Sequence, residues 1–384
     1  MKALQIPVVE LTEQYDELRA EVRAFIQQEI DAKSFEPKCD CWLSGYSPEF
    51  SHKLGERGWI GMTWPAKYGG HEQSAIERYI VTEELLAAGA PVAAHWIADR
   101  QSGPLFLRYG TEEQRLFFLP KIAKGDCTFA IGLSEPNAGS DLASLQTRAT
   151  KVEHGWLLNG SKTWTSGAHY SNYMITLCRT APTNPERRHA GMSQLVVDLS
   201  AKGVTIRPIH LLSGEHHFNE VFFEDVFIPD SMVVGELGNG WQQGMTELAY
   251  ERSGPERILS TFPLLNKLTA VLAEKEDRDG LNKVSILYAR LWTLRNMSLG
   301  VADLLQRGIP SNIIASLVKD LGTKFEQDIA EVARLVVTVT PSKQAESKLA
   351  RLMAESILHS PGFTLRGGTT EILRGIVAKG VIQS

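Results

Sequence analysis

The period of the apolar residues changes twice along the chain, and this alternation constrains the fold more than any other feature. From Leu11 to about Ala123, stretches such as EQYDELRAEVRAFIQQEI and AIERYIVTEELLAAGA repeat apolar residues at i, i+3, i+4 and i+7. That spacing gives a helix one buried face. From Thr128 the chain changes to short runs rich in β-branched and aromatic residues: GWLLNGSKTWTSG, YMITLCRT, SQLVVDL, VTIRPI and NEVFFEDVFIP. Gly, Pro, Asn and Asp separate them, as between strands of an antiparallel sheet. Helical spacing returns after Gly240 in WQQGMTELAYE, KVSILYARLWTLRNMSLGVADLLQ and SKLARLMAESIL. The expected class is α+β: an N-terminal helical domain over 1–127, a middle antiparallel β domain over 128–238 and a C-terminal helical bundle over 239–384. A chain of 384 residues exceeds the size at which one core keeps growing, so a large cofactor can be held inside.

Charge and cysteine usage remove several classes of function. The net charge is −5 and lysine and arginine do not cluster, which argues against a nucleic-acid partner. The four cysteines have neither metal-ligand spacing nor the density of a disulfide framework, and a reducing cytoplasm is expected. The longest apolar stretch, LLAAGAPVAAHWIA, is interrupted by Pro91 and His95 and is too short to span a bilayer, so no membrane insertion is expected. GELGNGWQQG imitates a phosphate loop, but no Lys-Ser or Lys-Thr follows it. His216 and His217 with Asp198 do not form a metal site, because adjacent residues on a strand point to opposite faces. No metal is expected.

The segment AIGLSEPNAGSDL follows an apolar run with turn formers and small hydroxyls, and SKTWTSG lies one strand further on. On residues alone EPNAGSD is a surface turn, Trp164 is β-domain core, and Glu251 in LAYERSG is a solvated helical carboxylate paired with an arginine. Four motifs in order change that reading: SEPNAGSD, NGSKTWTSG, GNGWQQGMTELAYER and GGTTEILRGIVAKG. Together with the domain order, over nearly the whole chain, they resemble the acyl-CoA dehydrogenase family of flavoproteins.

The resemblance implies FAD as cofactor, an acyl-CoA substrate oxidised to the trans-2-enoyl thioester, and an electron-transfer flavoprotein as electron acceptor. It implies that Ile131, Leu133 and Ser134 serve the pyrimidine edge of the flavin, that Gly139 allows close backbone approach, and that Ser140 meets the pyrophosphate. Trp164 would lie against one face of the ring with Ser166 near N5. Ser134 and Ser166 each replace a common threonine and keep the hydroxyl.

One branch of the family carries its catalytic base just before the Gly-Thr near the C-terminus, where this chain has Gly367 in LRGGTTEI. The isovaleryl-type and long-chain-type branches place the base on the first helix after the β domain, which here offers Glu251. The backbone N–H of Gly367 would still polarise the thioester carbonyl, since a backbone donor is indifferent to side chain. Thr369 and Glu371 match positions that contact the adenosine half of FAD, Glu371 replacing a more usual glutamine. Pro255 is expected inside the helix that carries Glu251, where it would kink the chain. An Arg-x-x-Phe-Gly stretch and a Gln-x-x-Gly-Gly-x-Gly stretch common in the family are missing, as in dehydrogenases of steroid side chains. Homotetramer and heterotetramer both stay open. A non-catalytic or half-site subunit of a heteromeric dehydrogenase, and an acyl-CoA oxidase on the same fold, remain alternatives. The helix ending in ELLAAGAPV, expected at the acyl pocket, offers little bulk and leaves room for branched or ring-bearing acyl groups.

Overall fold

A computed structural model describes residues 4–244, 252–309 and 311–382. Their main elements, in chain order, are α1 (Gln14–Asp31), α2 (Pro48–Glu56), α3 (Ala75–Ala87), α4 (Gly103–Tyr109), α5 (Glu112–Ala123), strands β1 (Phe129–Gly132), β2 (Arg148–Val152), β3 (Gly155–Ser166), β4 (Tyr173–Arg179), β5 (Met192–Asp198), β6 (Val204–His210), β7 (His216–Pro229) and β8 (Val233–Val234), then α6 (Phe262–Glu274), α7 (Arg278–Gln306), α8 (Asn312–Val336), α9 (Lys348–Phe363) and α10 (Thr370–Ile382). The order of helices, strands and helices is the one the periodicity predicts.

The chain divides into two compact units. One holds residues 1–46, 73–93 and 249–384; the other holds 47–72 and 94–248. In the first, α1 packs on α3 and α3 on α7, while α8 packs against α6, α7, α9 and α10. The helix starts are written in the sequence. Ser74 accepts from the Glu77 N–H while the Glu77 carboxylate accepts from the Ser74 N–H, a reciprocal cap that opens α3. Thr111 and Gln114 do the same for α5 in the second unit.

The second unit is built on a sheet with strand order β6-β7-β3-β2-β4-β5-β8, with β1 pairing β4. Pairing is mainly antiparallel, but β1 runs parallel to β4 over Phe129–Gly132. A lone crossover strand of four residues carries no sign of its direction in its composition. Trp156, Leu158, Met174, Val197, Val221 and Phe223 form the sheet's core. The polar segment APTNPERRHAG joins β4 to β5 as expected, and Arg179 ties it back: its guanidinium donates to the carbonyls of Ala190 (2.8 Å) and Ala143 (2.6 Å).

Pro255 does not lie inside a helix. Residues 240–244 are helical, but 252–254 form a turn, and Pro255 opens a short 3-10 segment, Pro255–Arg257. Its missing N–H falls at a first position, where it costs no hydrogen bond.

Candidate active site

In the sheet unit the segment after β1 is fixed from beneath by a buried ion pair. Lys162, on β3 and fully buried, donates to Glu135 Oε1 (2.8 Å) and to the Leu133 carbonyl (3.0 Å). Glu135 also accepts the N–H groups of Gln146 (2.7 Å) and Thr147 (2.9 Å). Burial opposes charge on Glu135, but Lys162 and these donors outweigh it and hold the carboxyl below its ordinary value. A Cβ at Gly132 would collide with Met174 and crowd the Lys162 stem. The glycine therefore leaves the path by which the lysine reaches the loop.

Above that anchor, Glu135 and Ala138 exchange two backbone hydrogen bonds, of 2.9 and 3.0 Å, closing a turn over Pro136 and Asn137. Gly139 and Ser140 are exposed, and no atom lies within 4 Å of where a Gly139 Cβ would be. Ile131, Leu133 and Ser134 are half-buried. The Thr163 N–H donates to the Ser134 carbonyl at 2.9 Å, so the loop and the middle of β3 are brought together.

There β3 carries one residue more than β7: Lys162 pairs with Val221 and Thr165 with Asn219. The bulge puts Trp164 at φ 56°, a left-handed conformation that costs a bulky residue free energy, and leaves the residue 56% exposed. The expectation that Trp164 is β-domain core, drawn from its residue type alone, is thus corrected: the ring stands outward, touching Phe218 edge-on at 5.7 Å. Asn219 holds the bulge. Fully buried, it donates to the Thr165 carbonyl (3.0 Å) and to His169 Nδ1 (3.1 Å), while its Oδ1 meets His216 Nε2 at 2.7 Å. Burial and the imidazole of His216, stacked at 3.9 Å, push His169 down to about 4, so it accepts as a neutral ring. Ser166, half-buried, ends the strand.

In the helical unit α9 ends in a turn through Gly367 (φ 67°) and Gly368 (φ 101°), and α10 follows. Thr369 is half-buried and caps α10, its carbonyl accepting from Leu373 at 3.0 Å. Glu371 is exposed in the first turn, where its own N–H and Thr369 lower its carboxyl. Arg366 is clamped: its guanidinium makes two bonds, 2.8 and 2.6 Å, to buried Asp40 and lies 4.2 Å from the Trp42 ring. Burial opposes charge on Asp40, yet Arg366 and His359 bring its pKa down to about 2. Lys162, Glu135, Asn219, Asp40 and Lys319 all support the candidate segments and escape sequence reading. Charged or amide residues inside otherwise apolar strand and helix patterns are the signal that could have found Lys162, Asn219 and Lys319. Glu251 lies outside the described residues.

The same unit contains a cavity of about 670 Å³ lined by Ile26, Ala87, Ala88, Ile258, Leu259 and Phe262 among others. Glu83 and Glu84 at its edge are neutralised by Arg295, Arg23 and Arg19.

Comparison with known proteins gives a consistent result. The acyl-CoA dehydrogenase N-terminal domain model matches residues 12–126 and the middle domain model residues 130–226. The acyl-CoA dehydrogenase IpdE1 of Mycolicibacterium smegmatis is 33% identical over 353 residues, covering 87% of each chain. The acyl-CoA dehydrogenase FadE29 of Mycobacterium tuberculosis is 30% identical over 384 residues, covering 96% of this chain and 97% of the relative. Among solved structures, the Tcur3481-Tcur3483 steroid ACAD superposes with a TM-score of 0.87 at 29% identity, over 98% of both chains. Among the described residues no helix is long and apolar enough to cross a membrane. With its domain order, its fold and its sequence all in agreement, the chain belongs to the acyl-CoA dehydrogenase family of FAD-dependent oxidoreductases.

Proposed function

We propose that this chain removes the α proton of an acyl-CoA thioester with Glu251 and releases the trans-2-enoyl product, its electrons passing to an electron-transfer flavoprotein. FAD, when bound, supplies the acceptor for the β hydride. The chain's own residues do the rest. A carboxylate in a dry pocket is raised toward neutral pH and can take a weakly acidic proton. The Gly367 N–H draws electron density onto the thioester oxygen as that proton leaves. Ile131, Leu133, Ser134, Gly139, Ser140, Trp164 and Ser166 would hold the flavin, and Thr369 and Glu371 the adenosine half. The division into segments 1–127, 128–238 and 239–384 is part of the same reading.

The observation that carries it is Trp164. An exposed indole on a strained left-handed bulge is unfavourable in water and fits a planar ring laid against it. The neighbouring Ser134 loop, open at Gly139, supplies polar groups beside it. Trp164→Ala should therefore bind FAD about tenfold more weakly while the fold, followed by circular dichroism, is unchanged. Equal flavin content and an unaltered flavin spectrum in the variant would place the cofactor elsewhere.

A branched or ring-bearing acyl group is the substrate class this reading favours. Its support is the small side chains of Ala87, Ala88, Gly89 and Ala90 in the segment expected at the acyl pocket, and the solved structure titled a steroid ACAD. The solved ChsE4-ChsE5 complex of Mycobacterium tuberculosis, 28% identical over 98% of this chain and 99% of that one with a TM-score of 0.83, supports a heteromer with a second subunit. The purified yellow protein should be bleached anaerobically by acyl-CoA. Its kcat/KM should be at least about tenfold higher for ring-bearing than for butyryl thioesters, since each unfilled methylene site forfeits 1–3 kcal/mol. A maximum at butyryl-CoA would refute the substrate class.

A further inference from the structure

Behind the Gly367–Gly368 turn stand two cations of the same unit. Arg252 Nε donates to the Gly367 carbonyl (3.3 Å), and Lys319 Nζ donates to the Gly368 carbonyl (2.8 Å). In a trans peptide the C=O and the following N–H point in opposite directions, so gripping a carbonyl aims the next N–H away from the grip. The Gly368 and Thr369 N–H groups are fixed in this way. The Gly367 N–H lies between the clamped Arg366 and the held Gly367 carbonyl. Among the described residues none of these three N–H groups donates to a protein acceptor.

Two successive glycines in left-handed conformations are easily adopted and as easily lost, because nothing in their own covalent structure selects one arrangement. Order at this turn has to come from outside it. Lys319 is fully buried on α8, in line with Ala315 one turn before it and Thr323 one turn after, where an uncharged side chain would pack without burying charge. A buried ammonium is costly unless its protons are used, and here one is spent on a backbone carbonyl of the turn.

We propose that Lys319 is a positioning residue for the reaction, acting through the Gly367–Gly368 turn. It rests on the reading that the Gly367 N–H polarises the thioester carbonyl. Lys319→Met removes the ammonium while nearly preserving volume. In the FAD-loaded protein it should lower kcat by about 10²-fold, the usual cost of misplacing a reacting group by about 1 Å, with substrate Kd changed less than about threefold. Exchange of the hydrogen-bonded amides of Leu365 and Arg366, read in the peptide spanning 365–372, should accelerate about tenfold, with α8 and α10 otherwise protected as before. Lys319→Gln, a polar side chain too short to reach the carbonyl, should behave alike and serves if the Met variant does not fold. Lys319→Arg, which retains a cationic donor, should recover part of both losses.

Unchanged exchange and unchanged kcat in the Met or Gln variant would overturn the proposal. So would exchange that rises throughout the unit, or failure of both variants to fold, because the lysine would then serve the fold alone. The exchange measurement does not depend on turnover. If Glu251→Gln left substrate-driven flavin reduction intact, the catalytic reading would fall, and exchange at 365–372 would still decide whether Lys319 holds the turn.

Discussion

Glu251→Gln should leave FAD and acyl-CoA binding intact and lower the rate of anaerobic flavin reduction by about 10² to 10⁴-fold, the usual weight of a positioned general base. Glutamine keeps the size and hydrogen-bonding capacity of the side chain and discards only its affinity for a proton. Adding Gly367→Glu to that background should recover part of the rate, because the family aims its carboxylate at one proton from either of two backbone positions. Recovery is bounded by the backbone: Gly367 has φ 67°, which a glutamate adopts only with strain. Single-turnover mixing reads both variants. Near wild-type reduction in Glu251→Gln would remove that residue from the mechanism, whereas a dead single variant without rescue would count only against the geometry assumed at Gly367.

The order of helices, strands and helices was legible because burial imposes a period on the sequence. Strands with a clear β-branched or aromatic bias, such as YMITLCRT and NEVFFEDVFIP, stand where that bias places them. Strand β2, RATKV, is short and polar, and β8 is two residues long, so neither rises above the surrounding loop chemistry. The parallel direction of β1 was equally hidden, since direction is set by long-range pairing and not by composition. Pro255 misled because proline has two uses in helices. Inside one it breaks a hydrogen bond, whereas at a first position it costs nothing, and only the turn at 252–254 distinguishes the two.

The candidate site was legible at its surface and not in its support. Motif resemblance named Ser134, Gly139, Trp164, Ser166, Gly367 and Thr369, residues that face outward or shape backbone. It did not name Lys162, Glu135, Asn219, Asp40 or Lys319, because their work is to hold those segments through contacts between residues far apart in the chain. The Lys162–Glu135 contact joins residues 27 apart, and that of Arg366 with Asp40 joins residues 326 apart. Lys162, Asn219 and Lys319 occupy strand or helix positions where a periodic pattern calls for an apolar residue, whereas Glu135 and Asp40 lie in loops with no period to break.

The same buried network in the helical unit makes stability depend on pH through Glu326. Glu326 is 1% exposed on α8; its Oε1 accepts from the Ser260 N–H at 2.7 Å, and its Oε2 has no hydrogen-bond partner among the described residues. Burial raises its pKa from 4.5 to about 7, against the opposing pull of Arg366 and the Ser260 donor, with Asp40 nearby adding to the rise. A raised carboxyl pKa means that the folded protein holds a proton the unfolded chain has released. Stability from this group is therefore full below about pH 4.5, falls as pH rises to about 7, and is level above that. At 1.36 kcal/mol per unit the loss amounts to about 3 kcal/mol. Glu326→Gln mimics the protonated acid and cannot ionise, so it should match the wild type near pH 4.5 and exceed it by up to about 3 kcal/mol at pH 8. His169 titrates across part of the same range with the opposite sign, because its lowered pKa adds stability as pH rises from about 4 toward 6.5. The informative quantity is thus the difference between variant and wild type in urea unfolding across pH 4.5 to 8, from which His169 cancels. A difference that stayed flat over that interval would mean that Glu326 is ionised at the same pH in the folded and unfolded chains.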